Sequence, residues 1–288
     1  MVEKPNVLLV REVPDPKVGD YDALCKMLYG STSGQDLQVL AGRAPFQIKY
    51  PTILGQESVG RVMEVGRNVR SFQKGDLVTR AGALRSPQGD FDATWGGFSE
   101  YGIARDHWAM KEDGRPREDW DAFRVNQKIA GNIPPAEATL IVTWRQTLNY
   151  LARANFSSGM SLLVLGSGGN GLAFAAHAVH LGASRIAMVG NPARKIVALK
   201  AGTTDYFDYH LPNLVDRVSH VCTSGFDCII DAVGKKGNLD RFLPVLKSRG
   251  TVGIYGTEDY DSCVLTPSRA HKTFTCLGPG NDDEQAHD

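Results

Sequence analysis

The stretch Leu162-Leu163-Val164-Leu165-Gly166-Ser167-Gly168-Gly169-Asn170-Gly171 decides the fold. Four consecutive apolar residues predict a buried strand, and the next six spell G-x-G-x-x-G ahead of a helix expected over 172–181. Each glycine has a separate physical task. Gly166 permits the tight turn out of the strand, Gly168 lets a pyrophosphate approach the backbone, and Gly171 lets the helix pack closely on the strand. Gly169 and Asn170 complete a helix N-terminus whose free N–H groups and positive dipole end favour an anion.

Further along, apolar runs at 186–189 (IAMV), 228–233 (CIIDAV), 251–255 (TVGIY) and 273–277 (TFTCL) alternate with helical segments. Fully apolar strands alternating with helices imply a doubly wound parallel sheet covered on both faces, an α/β class. A dinucleotide site of this kind usually carries Asp or Glu about 20 residues beyond the glycines, holding the ribose hydroxyls. This chain has Gly190 there, followed by Asn191 and then by Arg194 and Lys195. Loss of the carboxylate removes repulsion against a 2′-phosphate, and the two cations can pair with it. The expected cofactor is therefore NADP(H), with NAD(H) as the alternative. Val233, Gly253 and Ile254, at the ends of later strands, join the candidate cofactor contacts. His177 and His180 lie near the C-terminal end of the helix and are read as complementing its dipole.

The first half has a different texture. Candidate strands at 6–14, 23–29, 58–65, 76–80 and 98–104 are separated by glycine and asparagine turns, which suggests a small antiparallel barrel. Residues 111–132 are polar and read as a surface loop with a helical turn, and Pro134-Pro135 opens a helix expected to run through Tyr150. The domain reading is 1–142, 143–280 and a polar tail at 281–288. Lysine plus arginine equals aspartate plus glutamate at 32 each, so no global field draws the chain to nucleic acid or anionic lipid. No apolar run reaches the roughly 18–20 residues that span a bilayer. Cys25, Cys222, Cys228, Cys263 and Cys276 are scattered, and residues 1–5 lack the layout of a signal peptide. The expectation is a cytoplasmic protein with reduced thiols and a small-molecule substrate.

Residues 51–60 (PTILGQESVG), Glu64-Val65-Gly66, Gly75-Asp76-Leu77-Val78 and 96–101 (GGFSEY) resemble the zinc-type alcohol and polyol dehydrogenases of the medium-chain dehydrogenase/reductase superfamily. Those enzymes carry L-G-H-E-x-x-G, E-V-G, G-D-x-V and G-G-F-A-E-Y. With the glycine motif, the resemblance covers nearly the whole chain. It implies a GroES-like β-barrel domain followed by a Rossmann domain, the cofactor lying in the cleft between them, and an oligomer, either dimer or tetramer. Val252, Gly253 and Ile254 match the strand end beside the nicotinamide.

The zinc ligands that the resemblance implies do not carry over. Ser33 stands at the first position, Gln56 at the second and Val142 at the third, while Gln35 and Gln38 replace the proton-relay hydroxyl and histidine. Asp36 and Glu57 remain from that set. Catalytic zinc typically needs three protein ligands drawn from thiolate, imidazole and carboxylate, and a hydroxyl and an amide are poor substitutes. No metal is therefore expected, and the four-cysteine structural zinc lobe is missing too, since no cysteine falls between Cys25 and Cys222.

Without a dication, oxyanion charge must be met by neutral donors, for which Ser33, Gln35 and Gln56 are the candidates. Such donors suit an easier electrophile, the conjugated C=C of an enone or an activated ketone of a small, oxygen-rich molecule. Glu57 is the candidate proton donor if burial raises its pKa, and a structural carboxylate otherwise. Tyr29 is read as core packing before proton donation, Asp36 as a backbone cap, and Trp95, Trp144 and Arg145 as packing or substrate lining. The alternatives are a metal-free alcohol or polyol dehydrogenase and a non-catalytic nucleotide-binding protein. The chain stops at Asp288, where the family normally returns to the barrel; if the gene product ends there the barrel lacks an element and the cleft is more open, and if the chain is a fragment or a processed form its activity can differ from the parent's.

Overall fold

The structure, a computed structural model, describes residues 1–256, 258, 264–270 and 273–278. Two compact units divide it, Met1–Val142 and a second beginning at Thr143. Expectations that fall on Cys263 and on the tail at 281–288 lie outside the described residues.

The first unit carries β1 (Val2–Lys4), β2 (Val7–Leu8), β3 (Asp22–Ser31), β4 (Thr52–Ile53), β5 (Glu57–Val65), β6 (Leu77–Thr79), β7 (Asp92–Ala93) and β8 (Tyr101–Arg105). They form two four-stranded sheets, β2-β1-β4-β7 and β6-β5-β3-β8. Pairing is antiparallel throughout the second sheet, and β4 with β7 is the parallel exception in the first. Ala23, Cys25, Val62, Val78 and Ala104 make its core. The strand expected at 6–14 is paired only over Val7–Leu8; Leu8, Leu9 and Val10 are exposed, so apolar content alone overstated it.

Helices α1 (Gly34–Leu40), α2 (His107–Glu112), α3 (Arg117–Trp120) and α4 (Pro135–Ala138) complete this unit. The 111–132 region is not a plain surface loop, because it buries Trp120, Arg124, Asn126 and Ile129. The single helix expected from Pro134 is broken in two. Thr139 Oγ1 bonds back to the Ala136 carbonyl and the Leu140 amide to Glu137, which tightens the turn before α5 (Ile141–Arg153) begins.

The second unit is a six-stranded parallel sheet of β9 (Ser161–Leu165), β10 (Arg185–Gly190), β11 (Asp205–Asp208), β12 (Phe226–Asp231), β13 (Leu246–Ile254) and β14 (Thr275–Leu277), ordered β11-β10-β9-β12-β13-β14. Its helices include α6 (Gly169–His180), α7 (Lys195–Lys200) and α8 (Leu214–Val221). This is the doubly wound Rossmann order, in which the direction of winding reverses between β9 and β12. Alternate residues of β9 serve the two faces. Leu162 and Val164 pack with Phe174 and Tyr150, whereas Leu163 and Leu165 pack with Leu214 and Phe242. Burying each such side chain contributes about 1.5–3 kcal/mol. Tyr150, Phe174 and Tyr255 meet edge to face at 5.0–6.0 Å, and the Tyr150 hydroxyl reaches the Ile254, Leu277 and Gly278 carbonyls. The sequence reading missed β11, whose Asp-Tyr-Phe-Asp is neither apolar nor alternating. Among the described residues no helix is long and apolar enough to cross a membrane.

Candidate functional site: a glycine loop and an amide pair

In the second unit the site grows out of β9. Gly166 has φ +115°, a backbone conformation open to glycine, and a Cβ there would stand 2.7 Å from Val233 Cγ2. A Cβ on Gly171 would stand 2.0 Å from the Gly166 carbonyl oxygen, so the first turn of α6 rests directly on the loop. Gly168 and Gly169 differ, because nothing lies within 4 Å of where their side chains would be. Gly168 is the N-cap of α6 and no side chain caps the helix, which leaves the N–H groups of its first turn to a ligand. Asn170 sits half-buried in that turn. The cradle fits a phosphate in shape and in donors.

At the tip of β10, a Cβ on Gly190 would meet Ser167 Oγ at 2.3 Å and the Tyr206 hydroxyl at 2.5 Å. Ser167 Oγ accepts from the Asn191 amide at 3.0 Å, and the Tyr206 hydroxyl donates to the Asn191 carbonyl at 2.5 Å. Burial raises the Tyr206 pKa, so the phenol keeps its proton. The Asn191 side chain caps the turn Pro192–Arg194. Arg194 and Lys195 are exposed there and form no ion pair among the described residues; Arg194 lies close enough to Tyr206 to act on its hydroxyl electrostatically. Ser167 and Tyr206 escaped the sequence reading. One is an unspecified position of the motif, and the other comes from the strand that was missed.

Across the loop stands Asp231, which is fully buried. Its Oδ1 accepts from the amides of Val233 and Gly234 at 2.9 and 3.0 Å and from Asn238 Nδ2 at 3.1 Å, while its carbonyl accepts from Tyr255 and Gly256. An acid inside the otherwise apolar run CIIDAV was the available signal. Gly253 has a core reason to be glycine: a Cβ would stand 2.6 Å from Ile230 Cδ1 and Tyr150 Cε1. Val252 and Ile254 pack on the opposite face. His177 departs from the sequence reading. It is buried, its Nε2 meets the Trp144 carbonyl at 3.0 Å, and burial lowers its pKa, so it is neutral near pH 7 and does not complement the helix dipole. Exposed His180 bonds the Ala176 carbonyl instead.

In the first unit Ser33 caps α1. Its Oγ accepts from the Asp36 amide at 3.1 Å and donates to Asp36 Oδ2 at 2.8 Å, so it is not the open oxyanion donor expected of it. Asp36 Oδ1 in turn accepts from the Gly55 amide at 2.9 Å, which ties α1 to the loop that carries Gln56. Gln56 Nε2 donates to Gln35 Oε1 at 2.5 Å, and both side chains are half-buried. Glu57 is buried against Arg80 at 3.2 Å, their side chains 5% and 9% exposed. Tyr29 is 51% exposed, against the core position expected, because its end of β3 runs out to solvent. Val142 is buried, Trp95 meets Phe46 edge-on, and Trp144 meets His177 edge-on with its outer face exposed.

These residues do not fit zinc. The hydroxyl serves a carboxylate, the carboxylates serve a backbone amide and a guanidinium, and the third position is aliphatic. Among the described residues no three His, Cys, Asp or Glu side chains are grouped to hold a metal ion.

Comparison with known proteins agrees with this architecture. Residues 19–114 match the family model for the alcohol dehydrogenase GroES-like domain, and residues 169–278 match that for zinc-binding dehydrogenases. The NADP-dependent isopropanol dehydrogenase of Clostridium beijerinckii is 29% identical over 277 residues, covering 90% of this chain and 77% of that protein. Human quinone oxidoreductase is 26% identical over 258 residues, covering 88% and 70%. A dehydrogenase structure from Sinorhizobium meliloti 1021 bound to NADP superposes with a TM-score of 0.80 at 22% identity, covering 99% of this chain and 85% of that one. The chain belongs to the medium-chain dehydrogenase/reductase superfamily of oxidoreductases.

Proposed function

We propose that the chain is a zinc-independent, NADP(H)-dependent reductase of an activated C=C or ketone in a small, oxygen-rich molecule. The observation that carries this reading is the Gln56–Gln35 amide pair, at the positions for which the resemblance implies a metal ligand and a proton-relay hydroxyl. Each primary amide has two N–H donors, so among the described residues Gln56 keeps one after serving Gln35, and both on Gln35 Nε2 stay available. Neutral donors of this kind stabilise developing oxyanion charge without lowering an alcohol's pKa as a dication does, which favours reduction of an already polarised acceptor over alcohol oxidation.

When bound, the nicotinamide supplies the hydride. The chain's own part is to hold the pyrophosphate on the loop Gly166–Gly171 and the ribose phosphate beside Gly190, Asn191, Arg194 and Lys195. Two features support the phosphorylated cofactor: no carboxylate stands at position 190, and the NADP named for the isopropanol dehydrogenase and for the Sinorhizobium meliloti structure has a match in these exposed cations. A small-molecule substrate and a homo-oligomer belong to the same proposal.

The test is metal analysis of the purified protein together with NADPH and NADH consumption on a panel of enones, quinones and ketones. The expected outcome is turnover with NADPH, unchanged by chelator, at a metal content far below one ion per chain. Stoichiometric zinc whose removal abolishes activity overturns the metal-free reading. NADP⁺-dependent oxidation of alcohols alone favours a metal-free alcohol dehydrogenase, and tight NADPH binding without turnover favours a non-catalytic binding protein.

A further inference from the structure

We propose that Asp231 is a positioning residue of the dinucleotide site, a latch that fixes residues 232–238 so that the Val233 side chain closes on the Gly166 turn. The proposal rests on the dinucleotide reading of that turn. Asp231 ends β12 between Leu165 of β9 and Ile254 of β13, where the sheet reverses its winding. Five donors converge on this one residue: Val233, Gly234 and Asn238 on the side chain, Tyr255 and Gly256 on the main chain. Val233 is the side chain that the missing Cβ of Gly166 makes room for, and the Val233 backbone packs in the same way on Gly256. The latch thus joins three loop elements at the C-terminal edge of the sheet, and ligands of open α/β sheets bind outside that edge.

The chemistry of the latch is unusual for a carboxylate. Asp231 Oδ1 accepts all three side-chain bonds, whereas Oδ2 is buried with no hydrogen-bond partner among the described residues. Its strand neighbours Leu165 and Ile254 are apolar, Asn238 is neutral, and Lys235 and Lys236 are exposed. Asp240, further along, is engaged by Thr266 and Arg269. Among the described residues the charged group that bears on Asp231 is Glu258, a like charge. Burial and this repulsion raise its pKa from the ordinary 3.8, against the pull of its three donors. The folded chain therefore holds this proton to higher pH than the unfolded chain does. This group's contribution to stability is lost as pH climbs from the ordinary carboxylate value towards the raised one, while the three donors go on favouring the ionised form.

The test uses the full chain as wild type, Asp231→Asn and Asp231→Ala, with NADPH and NADH affinity measured by calorimetry beside a thermal melt of each protein. Asparagine keeps the Oδ1 acceptor and carries no charge. Asp231→Ala is expected to weaken NADPH binding about tenfold or more, with kcat at saturating NADPH within about twofold. Asp231→Asn, which keeps the acceptor, is expected within about threefold of wild type. A residue that only stabilised the fold would lower the melting temperature and leave the NADPH affinity of the folded protein unmoved. Should Asp231→Ala not fold, Val233→Ala carries the same expectation of weaker NADPH binding. The latch is overturned by wild-type affinity in the folded alanine variant or in Val233→Ala, or by an asparagine variant as weak as alanine. A wild type that binds neither NADPH nor NADH overturns the dinucleotide reading itself, and the latch with it.

Discussion

The glycine loop of the second unit and the Ser33–Glu57 region of the first spend their polar groups in opposite ways. In the loop the backbone is held by contacts that involve no ligand-facing atom: Val233 against Gly166, the Gly166 carbonyl against Gly171, Ser167 against Gly190. The amides of the α6 N-terminus stay uncapped. In the first unit the polar atoms satisfy one another: Ser33 with Asp36, Asp36 with Gly55, Gln56 with Gln35, Glu57 with Arg80. A site kept for a ligand leaves donors open around a rigid frame, whereas in the first unit most of these polar groups are spent on one another and the Gln56–Gln35 pair keeps the free N–H donors. The largest break in this contrast comes from Gly171→Val. Its Cβ would overlap a backbone oxygen that no rotamer can move aside. We expect NADPH affinity to fall more than a hundredfold, or the second unit to lose about 3 kcal/mol or more. NADPH titration with a thermal melt checks this, and a folded variant that binds normally would erase the distinction between frame and cradle.

Much of the loop was legible in the sequence because its glycines are chosen by backbone geometry, and backbone geometry is local. The four apolar residues before Gly166 and the helix after it state the strand–turn–helix context within a few positions, and the parallel sheet follows from the same texture repeated. What escaped depends on partners distant in sequence. Tyr206 bears on Gly190 only because β11 pairs with β10, and Asp231 joins segments whose approach is set by the sheet. His177 reads as a helix-end cation until the Trp144 carbonyl and its own burial are seen. Burial and pairing are long-range quantities, and they decide protonation.

The Glu57–Arg80 pair tests the closed half of the comparison. Both side chains are nearly buried, so removing one partner strands a charge. Glu57→Ala is expected to cost about 3–5 kcal/mol, lowering the melting temperature by roughly 6–20 °C. Glu57→Leu combined with Arg80→Met is expected to recover most of that loss, because an apolar pair of similar volume needs no desolvation. A Glu57→Gln protein that melts like wild type but loses turnover a hundredfold or more would move Glu57 from the frame into the chemistry. The first unit would then hold an open proton donor after all.

The smallest effect sharpens the open half. A carboxylate at position 190 is what an NAD site requires, and here its Cβ would collide with Ser167 Oγ at 2.3 Å and with the Tyr206 hydroxyl at 2.5 Å. Gly190→Asp alone should therefore weaken both cofactors, since the strand tip must shift before the new carboxylate can reach a ribose. Adding Ser167→Gly removes one of the two obstructions. We expect the double variant to regain NADH binding and to lose about tenfold in NADPH affinity, the scale of one charge-assisted contact turned into a repulsion. The diagnostic quantity is the non-additivity of the pair in calorimetric titrations with each cofactor. Simple additivity would mean that Ser167 does not hold position 190 as glycine, and cofactor choice would then rest on Arg194 and Lys195 alone.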